Sequence, residues 1–253
     1  MKARTYMILL TAFLIMMSSC SSRQEIRLQN NGSGTASIEI SLHPFFIQYL
    51  QDLTAAFSDP DQEAGDFRVF SEEKIAASFA RIDGLNLERF ERKETGHVKI
   101  GVSFTDPATV IPIADATGAE PIFGFQQSKR EGMILHTLEM DLNSINVQGI
   151  YSLLGVDEQQ NMLTFGPQPE PMSTDEYIEM MSYALGTYAD KETLKEALES
   201  REIEVTIIVD GEIVEARGFT MDIDVKNTAS LRLPFLRPAT LEEPVNVSLT
   251  WRE

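Results

Sequence analysis

The chain has 253 residues, with 21 Lys and Arg against 39 Asp and Glu, a formal net charge of −18. Its content of 43% hydrophobic and 24% charged residues belongs to a globular protein and is too apolar for a disordered one. A single Cys excludes a disulfide framework and any multi-Cys metal cluster. The acidic balance argues against a nucleic-acid partner, which needs clustered Lys and Arg to meet phosphates.

The first twenty residues read as an export signal. Lys2 and Arg4 form a positive start, Tyr6–Met17 is apolar apart from Thr11, and Ser18 and Ser19 are the small residues before a cut site. The apolar stretch is too short to span a bilayer, which needs roughly 20 residues. Met17-Ser18-Ser19-Cys20 resembles the lipobox of bacterial lipoproteins, with Met17 standing where that family usually has Leu. The resemblance implies cleavage before Cys20 and a diacylated, palmitate-type anchor on its thiol. Residues 1–19 are then the signal peptide, 20–24 the lipidated Cys with a short tether, and 25–253 the body. Absence of Asp after Cys20 resembles outer-membrane sorting in a two-membrane envelope. No later segment approaches 18 uninterrupted apolar residues, so the expected membrane partner is reached through the N-terminal lipid alone.

Along the body, period-two alternation dominates and predicts strands with one buried face. Ile26–Gln29 and Thr35–Leu42 flank an Asn-Asn-Gly-Ser-Gly turn, after which Pro44–Phe57 has the spacing of a helix. Ser71 can cap a short helix carrying Ile75, Phe79 and Ile82. Leu87–Lys93 and His97–Thr105 form a second expected hairpin, and Phe123–Gln127 with Met133–Leu142 a third, whose turn holds Lys129 and Arg130. Asn143–Leu154 is a further candidate helix. Gly166–Pro171 is Pro-rich and marks a possible internal boundary near 166–171. Ser173 to Glu176 is a capping box opening a helix through Tyr188, and Leu194 and Leu198 mark another. Asp210-Gly211 predicts a hairpin joining Val205–Val209 to Ile213–Arg217. Phe219, Met221, Ile223 and Val225 then alternate, and Val245–Trp251 closes the chain. The expected fold class is α+β: a mainly antiparallel sheet built from hairpins, with helices packed on one face, in a single domain.

The run from Cys20 through Gly32-Ser-Gly34 and Ile38-Glu-Ile40, with Gly96-His-Val98-Lys-Ile100-Gly-Val102-Ser-Phe104, resembles LppM-type envelope lipoproteins. The resemblance implies an envelope location and an α/β body, and it carries over no catalytic residue. Many such proteins have a membrane helix after the domain; this sequence stops at Glu253.

Motifs for catalysis are missing. There is no Gly-x-Ser-x-Gly, no Ser-x-x-Lys, no phosphate-binding glycine loop and no His-x-x-x-His among His43, His97 and His136. Asp59–Asp66 superficially resembles a calcium loop, but Phe70 stands where the bidentate Glu belongs. No catalytic residue, metal ligand or cofactor is assigned. His136 falls on the apolar face of its strand and, with Phe123 and Phe125, is the candidate pocket residue set. Three functional readings stay open: a non-enzymatic binding or assembly module that meets another envelope protein, a carrier of lipid or another apolar ligand, and an envelope hydrolase.

Overall fold

In the computed structural model, residues 20–57, 69–80, 82–107, 122–143, 170–222 and 224–253 are described. The signal peptide, the candidate calcium-like loop, nearly all of the expected Asn143–Leu154 helix and most of the possible boundary near 166–171 lie outside them. In chain order the elements are β1 (Cys20–Leu28), β2 (Gly34–Leu42), α1 (Pro44–Phe57), α2 (Glu72–Phe79), β3 (Leu85–Glu94), β4 (His97–Phe104), β5 (Phe123–Arg130), β6 (Met133–Leu142), α3 (Thr174–Leu185), α4 (Lys191–Glu199), β7 (Glu202–Val209), β8 (Glu212–Arg217), β9 (Thr220–Met221), β10 (Thr228–Pro234), α5 (Leu236–Thr240) and β11 (Val245–Arg252). The class is α+β.

The strands form two sheets. The first runs β3-β4-β2-β1-β7-β10-β9 and the second β5-β6-β11-β8. The three N-terminal hairpins follow local turn chemistry. In the β5–β6 hairpin, Glu131 (φ 53°) and Gly132 (φ 85°) both take left-handed backbone, as a two-residue type I′ turn requires. Lys129 and Arg130 therefore belong to the end of β5 rather than to the turn, with Arg130 opposite Met133.

Two expectations are corrected here. Residues 20–24, expected as a tether, form the start of β1: Cys20 is opposite Leu42, and Ser22 is opposite Ile40 on one side and Ile203 on the other. The Asp210-Gly211 turn does not make a hairpin. Strand β7 lies in the first sheet, parallel to β1, while β8 joins β11 in the second. The turn is held by other strands: Asp210 N–H donates to the Leu28 carbonyl, and Ile213 N–H to the Lys226 carbonyl. Crossing here puts Ile207 and Ile213 in one buried cluster from opposite walls.

Alternation explains why the sheets meet. On the first sheet Ala36, Ile40, Val98, Ile100 and Phe104 are buried, and on the second Leu138, Ile213, Leu249 and Trp251 join the same cluster. The apolar face of the first sheet is thus covered largely by another sheet, where helices were expected. Most of the helices build a separate core. Phe46 and Tyr49 of α1, Tyr177, Met181 and Leu185 of α3, Leu194 and Leu198 of α4, and Leu236 of α5 pack together. These helices all connect at one end of the first sheet, through Leu42, Glu202 and Pro234. The Ser173 capping box forms as expected, with Ser173 accepting from Glu176 N–H and Glu176 accepting from Ser173 N–H. Asp190 caps α4 by accepting from Thr193 N–H at 2.8 Å.

The outer face of the first sheet is polar and carries ion pairs. Glu204 accepts from Arg23 at 2.9 Å and from Arg232 at 2.9 Å. Glu39 meets Lys93 Nζ at 3.0 Å and His97 Nε2 at 2.8 Å. Those hydrogen bonds, that of Lys93 first, pull the Glu39 carboxyl from its ordinary 4.5 to about 2. A depressed carboxylate adds stability that is complete above its unfolded pKa and is lost as pH falls through the folded one. Glu39→Gln should therefore flatten the fall of Tm between about pH 4.5 and pH 2, measured by circular dichroism melts. A mutant profile as steep as the wild type in that window would remove Glu39 as a source of acid sensitivity.

Candidate functional site

Between the two sheets lies a cavity of about 150 Å³. Its walls follow from strand periodicity. Ile26 and Leu28 of β1, Ile38 of β2, and Ile203, Val205 and Ile207 of β7 line it from one sheet; Leu138, Met140, Val245 and Val247 line it from the other. Of the described residues, twenty-two border the space, and all but Ser22 and Gln24 carry apolar side chains. Protein interiors seldom leave voids larger than a water molecule, so a void of this size is a feature of the packing rather than its normal grain. An apolar cavity of ~150 Å³ stays dry and admits a benzene-sized molecule. Sites that enclose drug-sized ligands run larger, about 300–1,000 Å³. The space therefore suits a small apolar group, or one segment of a longer chain.

The sequence-derived candidates divide. Phe123 borders the cavity. His136 and the half-buried Phe125 do not; with Trp251 they form a three-ring aromatic cluster. The His136 ring is fully buried, with Phe125 at 6.0 Å and Trp251 at 5.5 Å between centroids, at 15° and 27° between planes. Its Nε2 lies 3.3 Å from Glu253 Oε1, and its Nδ1 is buried without a partner. Trp251 Nε1 donates to Asn30 Oδ1 at 2.9 Å, which ties the β1–β2 turn to the second sheet. Gly32 in that turn has φ 84°, and a Cβ there would stand 2.9 Å from the Phe125 ring. The stack is a clasp between hairpins and offers no accessible reactive atom.

A second concavity of about 510 Å³ is an open trough between the start of α1 and the α3–α4 connection, bordered by His43, Gln48, Tyr188 and Asp190. His43 Nδ1 is buried without a partner there, and its ring lies 4.1 Å from that of Phe45. Desolvation first, then the charge of Arg201, holds the His43 pKa below its ordinary value. Tyr188 donates to Asp52 at 2.9 Å, which raises the phenol pKa. Thr187 and Thr193 also border the trough, and none of its polar groups is hydrogen-bonded to His43 Nδ1. Among the described residues, no group of three or more His, Cys, Asp or Glu converges as a metal site. Asp222 and Asp224, two acidic residues close in sequence, form local turn structure, with Asp222 accepting from Asp224 N–H at 2.9 Å.

Ser22 and Gln24 are site residues that a tether over 20–24 does not predict. The signal was present: positions 22 and 24 continue the inward row of Ile26 and Leu28, with Arg23 and Glu25 between them.

The molecule is thus an α+β body with a largely apolar cavity between two sheets. No family model and no curated protein matches the chain. Among solved structures, the folded domain of the LppM protein of Mycobacterium tuberculosis, determined by NMR, aligns over 93% of this chain and 90% of that one, at 10% identity and a TM-score of 0.35. Among the described residues, no helix is long and apolar enough to cross a membrane.

Proposed function

We propose that this protein is a lipid-anchored envelope lipoprotein whose body binds a small apolar group between its two sheets. The observation that carries the binding function is the almost wholly apolar cavity between the sheets. Apolar binding in a preformed dry cavity needs no catalytic group; removal of ligand surface from water drives it, at about 25 cal/mol per Å². The lipobox-like Met17–Cys20 supports the anchor.

Benzene is a suitable probe, since a cavity of ~150 Å³ accepts it. Titration of the full chain should shift the methyl NMR signals of Ile38, Leu138 and Val247, which border the space. Ala36, also on its wall, is small and buried. Ala36→Phe should fill the cavity and abolish those shifts while the circular dichroism spectrum is retained; Ile26→Phe serves if the first variant does not fold. Benzene shifts that persist unchanged in a folded cavity-filling variant, or that never appear in the wild type, would overturn the binding function.

A further inference from the structure

Among the described residues, the cavity wall has one polar spot. Ser22 and Gln24 are consecutive inward residues of β1, and Gln24 Nε2 donates to Ser22 Oγ at 3.4 Å. Their neighbours across the ladders are Ile40 and Ile38 on β2, and Ile203 and Val205 on β7, so the pair is set among branched aliphatic side chains. Ser22 is only 6% exposed. Its hydroxyl supplies one donor and two acceptor sites, and the Gln24 amide supplies two N–H donors and a carbonyl acceptor. One long hydrogen bond uses a small part of that capacity. Polar groups in an apolar interior are costly unless bonded, and a wall built only for packing would continue the Ile and Leu of positions 26 and 28 inward to 24. Among the described residues no Lys, Arg or His borders the cavity, so an ionised ligand would meet no counter-charge from them.

We propose that the ligand is a neutral amphiphile: a short apolar chain ending in a hydroxyl or carbonyl group that hydrogen-bonds to Gln24 and Ser22, with ionised carboxylates excluded. The inference rests on the apolar-binding function above and specifies its ligand class. A few fixed polar groups in a mostly apolar site orient a ligand and set specificity. Here Gln24 can donate to a ligand oxygen while its carbonyl, or the Ser22 oxygen, accepts from a ligand hydroxyl.

The test titrates the full chain with 1-hexanol, hexanoate at pH 7, and benzene, followed by methyl NMR. Wild type should bind 1-hexanol and benzene, and hexanoate at least about tenfold more weakly than 1-hexanol. Gln24→Leu, close in volume, should weaken 1-hexanol by about threefold to tenfold, as expected for one lost hydrogen bond, and leave benzene unchanged or slightly tighter. Ser22→Ala, a smaller change, should act in the same direction and serves if Gln24→Leu does not fold. Hexanoate binding as tightly as 1-hexanol, or 1-hexanol affinity unaffected by both substitutions, overturns the ligand class while benzene binding leaves the apolar site standing. Absence of benzene and 1-hexanol binding to the wild type overturns the site, and the ligand class with it.

Discussion

Phe104→Asp should unfold the body, whereas Ser103→Asp, one residue away, should leave it folded. Both residues lie on β4 and face opposite sides of the first sheet. Phe104 is buried, continues the row of Val98, Ile100 and Val102, lies opposite Gly34 and Leu85, and borders the inter-sheet cavity. Truncating a buried aromatic costs ~3–5 kcal/mol, and a carboxylate stranded among apolar side chains adds to that. Domains of this kind are stable by only ~5–15 kcal/mol, so the combined loss is severe. Ser103 is on the polar side, where its hydroxyl donates to Glu88 at 2.6 Å. An Asp there exchanges that bond for like-charge repulsion, a cost of about 1–2 kcal/mol. From position alone the expected cost would be ~0.5 kcal/mol or less; the neighbouring Glu88 raises it. Thermal melts decide the matter. Equal midpoints for the two variants would mean that the register of β4, and with it the two-sheet interior, is wrong.

The second large effect concerns attachment. Cys20→Ala should block lipidation, remove the mass of the acyl chains and leave the protein either unprocessed, with its signal still attached, or released, with the body still folded. The proposed anchor is the means of holding: each buried CH₂ of an acyl chain contributes about 0.8 kcal/mol, while an acidic chain of net charge −18 is repelled by anionic headgroups. Alanine keeps the backbone pairing of position 20 with Leu42, so the strand is retained. The structure also chooses the variant. Deleting residues 1–22 would remove Ser22 from its ladders with Ile40 and Ile203 and take one of the two polar groups off the cavity wall. Phase partitioning of Cys20→Ala indistinguishable from wild type would sink the anchor. Since β1 begins at Cys20, an acylated Cys20 would join the lipid to the sheet without an intervening tether.

The candidate site was legible in part. The alternation of Met133–Leu142 put Leu138, Met140 and His136 on one face, and the structure keeps them there. Periodicity does not say how far along a face a cavity opens. Leu138 and Met140 reach it, while His136, two residues earlier, packs in a three-ring cluster with Phe125 and Trp251, which themselves lie 5.9 Å apart. Trp251 comes from the last strand, so a contact across more than a hundred residues decided the role of His136. The polar pair Ser22 and Gln24 was hidden for a different reason. A Ser- and Gln-containing stretch after a lipobox reads as a solvated tether, and only pairing with both β2 and β7 makes it a central strand.

The sequence by itself determined what short-range chemistry controls: the β1–β2, β3–β4 and β5–β6 hairpins, the bounds of α1, the Ser173 capping box, and which residues of each strand share a face. Turns, caps and period-two burial are local properties, decided within about ten residues. Tertiary structure decided the partners. A face marked apolar by alternation is satisfied equally by a helix or by a second sheet, and the chain supplied a second sheet. An Asp-Gly turn permits a hairpin without enforcing one; at Asp210 the backbone is held by Leu28 and Lys226, and β7 finds β1 in parallel instead of β8. Of the strand Phe219–Val225 expected from alternation, Thr220–Met221 pairs with β10, and β10, whose Ala229, Leu231 and Leu233 alternate just as clearly, takes the place beside β7. The cavity belongs wholly to this second level, because it is the space left when two independently patterned faces come together.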